Sequence, residues 1–234
     1  MAEDKKENKT IKKGDFVQVE YTGRLKEEDM VFDTTSKEEA KKAGMDSQQQ
    51  NFGPVTVCIG EGQLIPGLEK ELEGKETGNE YKIKLKPEQA FGKKNAQLIK
   101  TIPSSAFKKQ NIVPQPGMQV NIDGSIGIIK RAGGGRCLVD FNHPLSGKDV
   151  VYDVKLNNII TDDKEKIKSY ISLALNRKDI SVDVKDKKAE IRTEKELPKQ
   201  VTEKLSEKLK EIVPSIKKIE FKTEKKKQKK KQDK

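Results

Sequence analysis

The chain has 234 residues, a length that at roughly 100 to 200 residues per domain predicts one to three domains. Apolar residues make up 32% of the chain and charged residues 37%, against the roughly 45 to 50% and 25% of ordinary globular domains. Any hydrophobic core is therefore small and divided. No stretch approaches the roughly 18 apolar residues of a membrane span, and the N-terminal sequence MAEDKKENKT lacks an apolar signal-peptide region, so we expect a soluble cytoplasmic protein without a membrane partner.

Much of the positive charge lies at the C-terminal end. The formal net charge is +11, and residues 222–234 hold eight lysines against two acidic residues, a local balance of +6. Such a run is typical of a disordered, solvating tail; the alternative is a weak, salt-sensitive contact with nucleic acid or the ribosome. The chain has five arginines, and arginine is the residue favoured for bidentate recognition of bases and phosphates, so sequence-specific nucleic-acid binding is disfavoured.

Residues 1–92 show the pattern of a small sheet with a helix. Residues 15–21 (DFVQVEY) alternate apolar and polar side chains, as a half-buried strand does, and Gly23 marks the turn that follows. Further strands are predicted at 30–33, 55–59 and 81–85. Residues 36–43 predict a short helix with Ser36 as its N-cap, and residues 64–72 predict a turn that leads into a second short helix. Together these elements predict a compact antiparallel sheet with one packed helix.

The sequence pattern changes between residues 93 and 141, where short strand patterns alternate with turn signals. Strand patterns at 118–122, 126–131 and 136–141 are separated by Asp123-Gly124 and by the three glycines 133–135, which are hairpin signals, and 98–102 is a possible fourth strand. Residues 150–160 then resume the earlier strand texture. We interpret 93–141 as an inserted β domain that interrupts the first domain, which is completed by 142–161. The two cysteines, Cys58 and Cys137, lie in apolar strand-like runs and are predicted to be buried free thiols.

Residues 162–221 predict a third domain. Helical spacing, two alternating runs, a second helix opened by Pro198 and a last strand give the order helix, strand, strand, helix, strand. So thin a core suggests a unit that needs a partner surface, and we expect a docking or homodimer role for it. The predicted fold class is α+β, with an inserted small β domain, a C-terminal αββαβ domain and a disordered lysine-rich tail at 222–234.

Common enzyme motifs are missing. His143 is the single histidine, and its neighbours Asn142 and Pro144 predict a loop, so a histidine-based catalytic triad is disfavoured. Two cysteines and one histidine at unrelated spacings do not predict a metal site, and the glycines at 133–135 match no phosphate-binding motif. We therefore expect neither a metal nor a cofactor.

Four separated blocks of sequence are similar to one family. They are VEYTGRL at 19–25, VFDTT at 31–35, GEGQLIPGLEKELEGKETGNEYKIKLKPEQAFG at 60–92 and NHPLSGKDVVYDV at 142–154. Together they resemble the FKBP-type peptidyl-prolyl cis-trans isomerases. The insertion after residues 90–92 (AFG) resembles the SlyD-like subgroup, in which an extra domain replaces the flap over the active site, and the C-terminal extension resembles the long archaeal members.

The resemblance implies an apolar proline pocket and the FKBP fold, a sheet wrapped on a short helix. Asp33 would lie at the rim, the Ile65 N–H would bind the substrate carbonyl, and Leu68 would form the floor. The remaining pocket residues would be Tyr21, Phe32, Val55, Leu64, Phe91 and Tyr152. Two departures weaken the transfer: Phe91 replaces a tyrosine of many members, and Val55 stands where an aromatic wall is common. Without the resemblance, the aromatic residues at strand positions would be interpreted as core.

The resemblance also implies partners. Substrates would be unfolded or proline-containing polypeptides, and macrolide inhibitors are possible ligands. The inserted domain would hold unfolded chains as a chaperone, with plausible contacts at Ile99, Ile102, Phe107, Ile112, Val113 and Met118, each of which could equally belong to the core of a small β domain. Two alternatives stay open: a chaperone or binding module with a weak or inactive pocket, and a folding factor associated with the ribosome or nucleic acid.

Overall fold

The computed structural model describes residues 8–45, 52–108, 111–177 and 179–223. Its elements in chain order are β1 Phe16–Leu25, β2 Val31–Thr34, α1 Lys37–Lys42, β3 Val55–Cys58, α2 Pro66–Leu72, β4 Glu80–Leu85, β5 Ile99–Pro103, α3 Ser104–Lys108, β6 Gln119–Ile122, β7 Ser125–Gly133, β8 Arg136–Asp140, β9 Val150–Ile160, α4 Asp163–Ala174, β10 Ile180–Lys185, β11 Lys188–Thr193, α5 Lys199–Ile212 and β12 Lys218–Thr223. The fold is α+β, and its strands form three separate sheets. No helix in these ranges is long and apolar enough to cross a membrane.

The first sheet is built around β1. This strand pairs along its whole length with β9, which in turn pairs with β4, while β2 and β3 share the other edge of β1. All these pairings are antiparallel, as the alternating patterns predict. The strand that returns after the insertion therefore lies at the centre of the sheet, and the first domain is discontinuous in sequence.

Helix α2 packs against this sheet through Leu68 and Leu72, which are four residues apart and therefore on one face. Pro66 occupies its first turn, where the missing N–H costs no hydrogen bond, and the helix begins within the range predicted as a turn leading into a helix. A Cβ at Gly67 would lie 2.3 Å from the Gln89 carbonyl oxygen, so only glycine allows this close approach. The buried cluster between α2 and the sheet is the first hydrophobic core.

The inserted segment forms a four-stranded antiparallel sheet in the order β5-β8-β7-β6. The β6–β7 hairpin turns at Asp123 and Gly124, both with positive φ (51° and 79°), as a type I′ turn requires. Its core is small, with five fully buried members: Phe107, Val120, Ile129, Cys137 and Val139. The five-residue helix α3, which carries Phe107 into this core, was not predicted.

The C-terminal unit has the predicted element order. β10 and β11 pair antiparallel, and β12 returns through α5 to lie parallel to β11. The expectation of a thin core is modified, because its buried cluster also contains Phe16, Cys58 and Ile160 from β1, β3 and β9. The unit is packed on the first sheet.

Several details match or modify the sequence predictions. Cys58 and Cys137 are buried free thiols, as predicted. Ser36 caps α1 by accepting a hydrogen bond from the Glu39 N–H at 3.3 Å, also as predicted. Strand β12 continues to Thr223, two residues beyond the predicted boundary, and the remainder of the lysine-rich tail lies outside the described residues.

Candidate active site

A cavity of about 360 Å³ lies between α2 and the first sheet. It is lined by Tyr21, Asp33, Gly62, Gln63, Leu64, Ile65, Pro66, Leu68 and Tyr152. Strand alternation explains the sheet side of this wall: Tyr21 on β1 and Tyr152 on β9 both turn towards α2, and their rings meet edge to face with centroids 5.9 Å apart. Residues that lie far apart in the chain thus converge on one apolar hollow.

A chain of aromatic rings extends this wall. The Phe32 ring packs edge to face against Tyr152 at 5.7 Å and against Phe91 at 5.6 Å, and Phe91 in turn stacks flat on His143 at 4.9 Å. Edge-to-face contacts fix the relative orientation of the rings because the positive edge of one faces the negative face of the next. The cluster therefore presents a preformed aromatic surface.

The loop from Gly60 to Ile65 closes the cavity on the helix side. The N–H groups of Gly62 and Gln63 donate to the Glu69 carboxylate at 3.2 and 3.1 Å, and the Gln63 side chain accepts from the Cys58 N–H at 2.7 Å. Ile65 ends the loop with extended dihedrals (φ −62°, ψ 142°) as the cap of α2. Among the described residues its N–H has no acceptor, so this donor is available to a ligand at the cavity wall.

One polar pair lies at the rim of the cavity. The Tyr21 hydroxyl donates to Asp33 Oδ2 at 3.1 Å. Burial, reinforced by the Asp33 charge, raises the pKa of Tyr21, and burial likewise raises the pKa of Tyr152. Burial raises the pKa of Asp33, while the hydrogen bonds from Tyr21 and the Thr34 backbone oppose that shift. Both phenols thus stay protonated at neutral pH, and the Tyr21 hydroxyl acts as a hydrogen-bond donor rather than as a base.

The structure brings most of the predicted pocket residues together. Tyr21, Asp33, Leu64, Ile65, Leu68 and Tyr152 line the cavity itself. Phe32 and Phe91 join it through the ring contacts, and Val55 packs against the same core without lining the cavity. Where the structure describes the chain, no group of three potential metal ligands occurs.

Three contributors were missed from the sequence. His143 was interpreted as a loop residue, yet its ring covers Phe91. Glu69 and Gln63 hold the loop that carries Ile65, and Glu69 is buried (8% exposed). A buried glutamate on a short helix next to a glycine-rich loop is the signal that could have been used, since a buried carboxylate needs donors.

A second groove, of about 430 Å³, lies beside Tyr21 across β1, β9 and β4. Five of its eleven lining residues are charged, and four of these pair within the sheet: Lys82 with Asp153 at 3.5 Å, and Lys155 with Glu80 at 3.9 Å. Two tyrosines, Tyr21 and Tyr81, also line it, but Tyr152 and Ile65 line only the smaller cavity.

Comparison with known proteins identifies the family. The chain is 32% identical over 149 residues to a short-type peptidyl-prolyl cis-trans isomerase of Methanocaldococcus jannaschii, a match that covers 64% of this chain and 94% of the relative. It is 34% identical over 111 residues to a probable FKBP-type 16 kDa isomerase of Pseudomonas fluorescens, covering 45% of this chain and 73% of that protein. The chain belongs to the FKBP-type peptidyl-prolyl cis-trans isomerase family.

The inserted segment of this FKBP-type isomerase also has relatives. A family model described as FKBP26, IF domain matches residues 100–145. The isomerase SlyD of Haemophilus influenzae is 30% identical over 107 residues, which cover 44% of this chain and 56% of SlyD. The similarity to SlyD-like proteins therefore agrees with the resemblance seen in the sequence.

In this FKBP-type isomerase the apolar residues predicted to hold unfolded chains are divided between core and surface. Phe107 is buried (3% exposed), whereas Val113 is 73% exposed. Ile102, Ile112 and Met118 are partly buried and pack on the small core, and Ile99 is partly exposed on β5. Ile126 is 60% exposed and was not among the predicted contacts.

Proposed function

We propose that the cavity between α2 and the first sheet binds a prolyl ring and catalyses cis-trans isomerisation of the preceding peptide bond. The observation that carries this proposal is the combination of an aromatic hollow, formed by Tyr21, Phe32 and Tyr152, with the unpaired Ile65 N–H at its wall. The hollow suits the pyrrolidine ring, and the N–H suits the carbonyl of the bound polypeptide. Family membership supports the same activity.

An apolar pocket is sufficient for this reaction. An X-Pro bond rotates over a barrier of about 18 to 20 kcal/mol because the planar amide has partial double-bond character. The planar form is charge-separated and well solvated by water, whereas the twisted transition state has lost that resonance and is less polar. A site that removes the bond from water therefore favours the twisted form, and each 1.4 kcal/mol gained in this way gives about tenfold in rate.

The rim pair orients the site. Asp33 holds the Tyr21 hydroxyl in place, and with it the Tyr21 ring that packs against Tyr152. No proton has to move during rotation about a peptide bond, so a hydrogen-bonded pair of this kind acts by position. Replacing Asp33 or Phe32 by alanine should therefore lower isomerisation by loosening the walls.

We further propose that the inserted domain captures unfolded polypeptide for this pocket. Strand β6 lies at an edge of its sheet, where an extended chain can add by backbone hydrogen bonds. Exposed Val113 and Ile126 supply apolar contacts, and a small cavity of about 50 Å³ lies beside Phe107 and Ile112. The core of this domain is small, yet some of its apolar side chains are exposed instead of adding to that core. Such exposure favours a role in binding.

The test compares a proline-containing tetrapeptide with a protein whose refolding is limited by proline isomerisation. The full chain should accelerate both reactions. Removing residues 93–141 should slow the refolding reaction far more than the tetrapeptide reaction, because the tetrapeptide needs the pocket alone. Equal losses on both substrates would reject the proposal that the inserted domain captures unfolded protein while the pocket alone catalyses isomerisation.

A binding module with a weak pocket is the second candidate. It is favoured by Phe91, which lacks the hydroxyl that a tyrosine would offer to the substrate amide. Binding of unfolded protein without acceleration of the tetrapeptide by the full chain would establish it, and a gain of tetrapeptide activity in Phe91→Tyr would identify the missing hydroxyl as the cause. Macrolide binding, homodimer formation through the C-terminal unit and contact of the lysine tail with nucleic acid or the ribosome stay predictions.

A further inference from the structure

The C-terminal unit touches the loop that forms the pocket. Lys208 on α5 forms an ion pair with Glu61 at 2.9 Å and with Glu211 on its own helix at 3.0 Å. Glu61 lies in the loop between β3 and α2, directly before the cavity-lining residues Gly62 and Gln63. The pair therefore joins a helix of the C-terminal unit to the wall of the proposed active site.

This contact lies at a partly buried seam. The Glu61 side chain is 14% exposed and that of Lys208 is 32% exposed. Beneath them Cys58, at the end of β3, is fully buried in the same cluster as Ile171 of α4. Burial, together with the negative charge of Glu61, raises the pKa of the Tyr170 hydroxyl, which packs on this cluster. An ion pair in such surroundings is less screened by water and salt than one on an open surface.

The loop is held from both sides. On the inner side, Glu69 accepts the N–H groups of Gly62 and Gln63. On the outer side, Glu61, which does not line the cavity, pairs with Lys208. Because Gly60 and Gly62 have positive φ (94° and 66°), this segment has glycine's conformational freedom on both sides of Glu61, and side-chain contacts must restrain it.

We infer that Lys208 is a positioning residue for prolyl isomerisation, acting through Glu61 to fix the loop that presents the Ile65 N–H to the substrate. This inference rests on the proposed function. It gives the C-terminal unit a direct part in the reaction at the pocket, in addition to any docking role. A small displacement of a substrate-binding group lowers rates severalfold even where the fold is retained.

The test uses the full chain and the tetrapeptide substrate. Lys208→Met should lower kcat/KM about three- to tenfold, since the loop loses its outer restraint. Lys208→Arg keeps the charge and should retain most of the activity. Lys210→Met is the matched control, because Lys210 is exposed on the same helix and its loss changes the net charge equally.

A double-mutant cycle separates positioning from general destabilisation. Glu61→Gln should resemble Lys208→Met, and the double variant should lose no more than either single variant, because both remove one interaction. Amide resonances of residues 62–65 should shift in Lys208→Met and stay in place in Lys210→Met, at a temperature where unfolding experiments show every variant folded. This spectroscopic readout does not depend on activity.

The outcomes are distinct. Additive losses in the cycle, or equal activity and unshifted loop resonances in Lys208→Met and Lys210→Met, would overturn the positioning role while leaving the proposed function intact. An unmodified chain without tetrapeptide activity would instead reject the proposed function. If Lys208→Met is unstable, Glu61→Gln and Lys208→Arg still decide the question through the same spectra.

Discussion

Gly23 lies directly beneath two rings of the pocket. A Cβ at this position would be 2.8 Å from Cζ of Phe32 and 2.9 Å from Cε1 of Tyr152, closer than carbon atoms can approach. We expect Gly23→Ala to displace both rings, to lower kcat/KM for a tetrapeptide at least tenfold and to cost about 1 to 3 kcal/mol of stability, as overpacking does. Isomerisation assays and urea unfolding measure the two effects.

The matched control is Gly133→Ala in the inserted sheet. An added Cβ there meets no atom within 4 Å, and φ is not in the left-handed region. This variant should keep full tetrapeptide activity and stability. If Gly23→Ala also kept full tetrapeptide activity and stability, catalysis would not depend on the present positions of the Phe32 and Tyr152 rings. The proposed role of the aromatic hollow would then be wrong.

Asp33 gives the site a pH dependence in stability. Burial raises its pKa above the ordinary value of 3.8. A carboxyl whose pKa is higher in the folded protein than in the unfolded chain stabilises the fold while protonated, so its contribution is complete below about pH 3.8 and is lost as pH rises through the folded-state pKa. We therefore expect Asp33→Asn to gain stability relative to the unmodified chain as the pH rises from about 3.5 to about 7.

Urea unfolding at the two pH values measures this difference in the free energy of unfolding. The amide oxygen of asparagine can still accept the Tyr21 hydrogen bond, so Asp33→Asn should keep more isomerase activity than Asp33→Ala. If the stability of Asp33→Asn relative to the unmodified chain fell with rising pH, the Tyr21 hydrogen bond, rather than burial, would determine the direction of the shift in the pKa of Asp33.

At the scale of elements, the proposed capture of unfolded chains by the inserted domain can be tested at the edge strand β6. The two-residue turn at Asp123-Gly124 makes Ile122 and Ser125 a hydrogen-bonded pair, so Asn121, one residue earlier, directs its backbone N–H away from β7. Asn121→Pro should therefore remove a donor from the open edge without breaking the ladder to β7. We expect weaker binding of an unfolded, alkylated protein and unchanged tetrapeptide isomerisation.

Asn121→Ala is the control, because it changes the same side chain and keeps the backbone N–H. Calorimetry or fluorescence titration with the unfolded protein compares the two variants. Equal binding by both variants would show that the unfolded protein does not bind by strand addition at β6. The exposed side chains of Val113 and Ile126 would then be the remaining candidate contacts.

Local patterns predicted most elements, and their failures have local causes. Strand β1 was predicted to end at residue 21 because Thr22 and Gly23 interrupt the alternation; the strand continues to Leu25 through a register shift after Gly23. Helix α3 was missed because five residues are too few for a helical period to show. The bounds of the long strand β9 were predicted correctly.

At the scale of the whole molecule, tertiary contacts determine what the sequence could not. Tyr21, Phe32 and Tyr152 have the pattern of core residues, and only the similarity of four separated blocks to one family predicted that they enclose a pocket. Phe16, Cys58 and Ile160 look like ordinary strand residues, and nothing near them in the sequence indicates that α4 covers them. Contacts across a hundred residues leave no periodic signal.

The three buried clusters predict how the molecule unfolds. The C-terminal cluster includes Phe16, Cys58 and Ile160 of the first sheet, whereas the cluster of the inserted domain is separate and small. We therefore expect the first and C-terminal units to open together, and the inserted domain to open alone at lower free energy. Phe16→Ala should destabilise both of the coupled units by about 3 to 5 kcal/mol, as a buried phenylalanine does.

The two cysteines report these events without any added label. Cys137 lies in the inserted core and Cys58 at the seam, both fully buried, so each reacts with an alkylating reagent only when its own unit opens. Burial raises the pKa of Cys58 to about 12, which keeps the native thiol unreactive. Mass spectrometry of peptides should show Cys137 modified well before Cys58 in low urea.

Phe16→Ala should accelerate modification of Cys58 alone, and Ile129→Val should accelerate modification of Cys137 alone, since each substitution removes packing from one cluster. Simultaneous modification of both cysteines in the unmodified chain would mean that the small core of the inserted domain does not open independently. Coupling to the first domain would then run through the two connections between the domains, where Asn142 and Asn95 are hydrogen-bonded to each other.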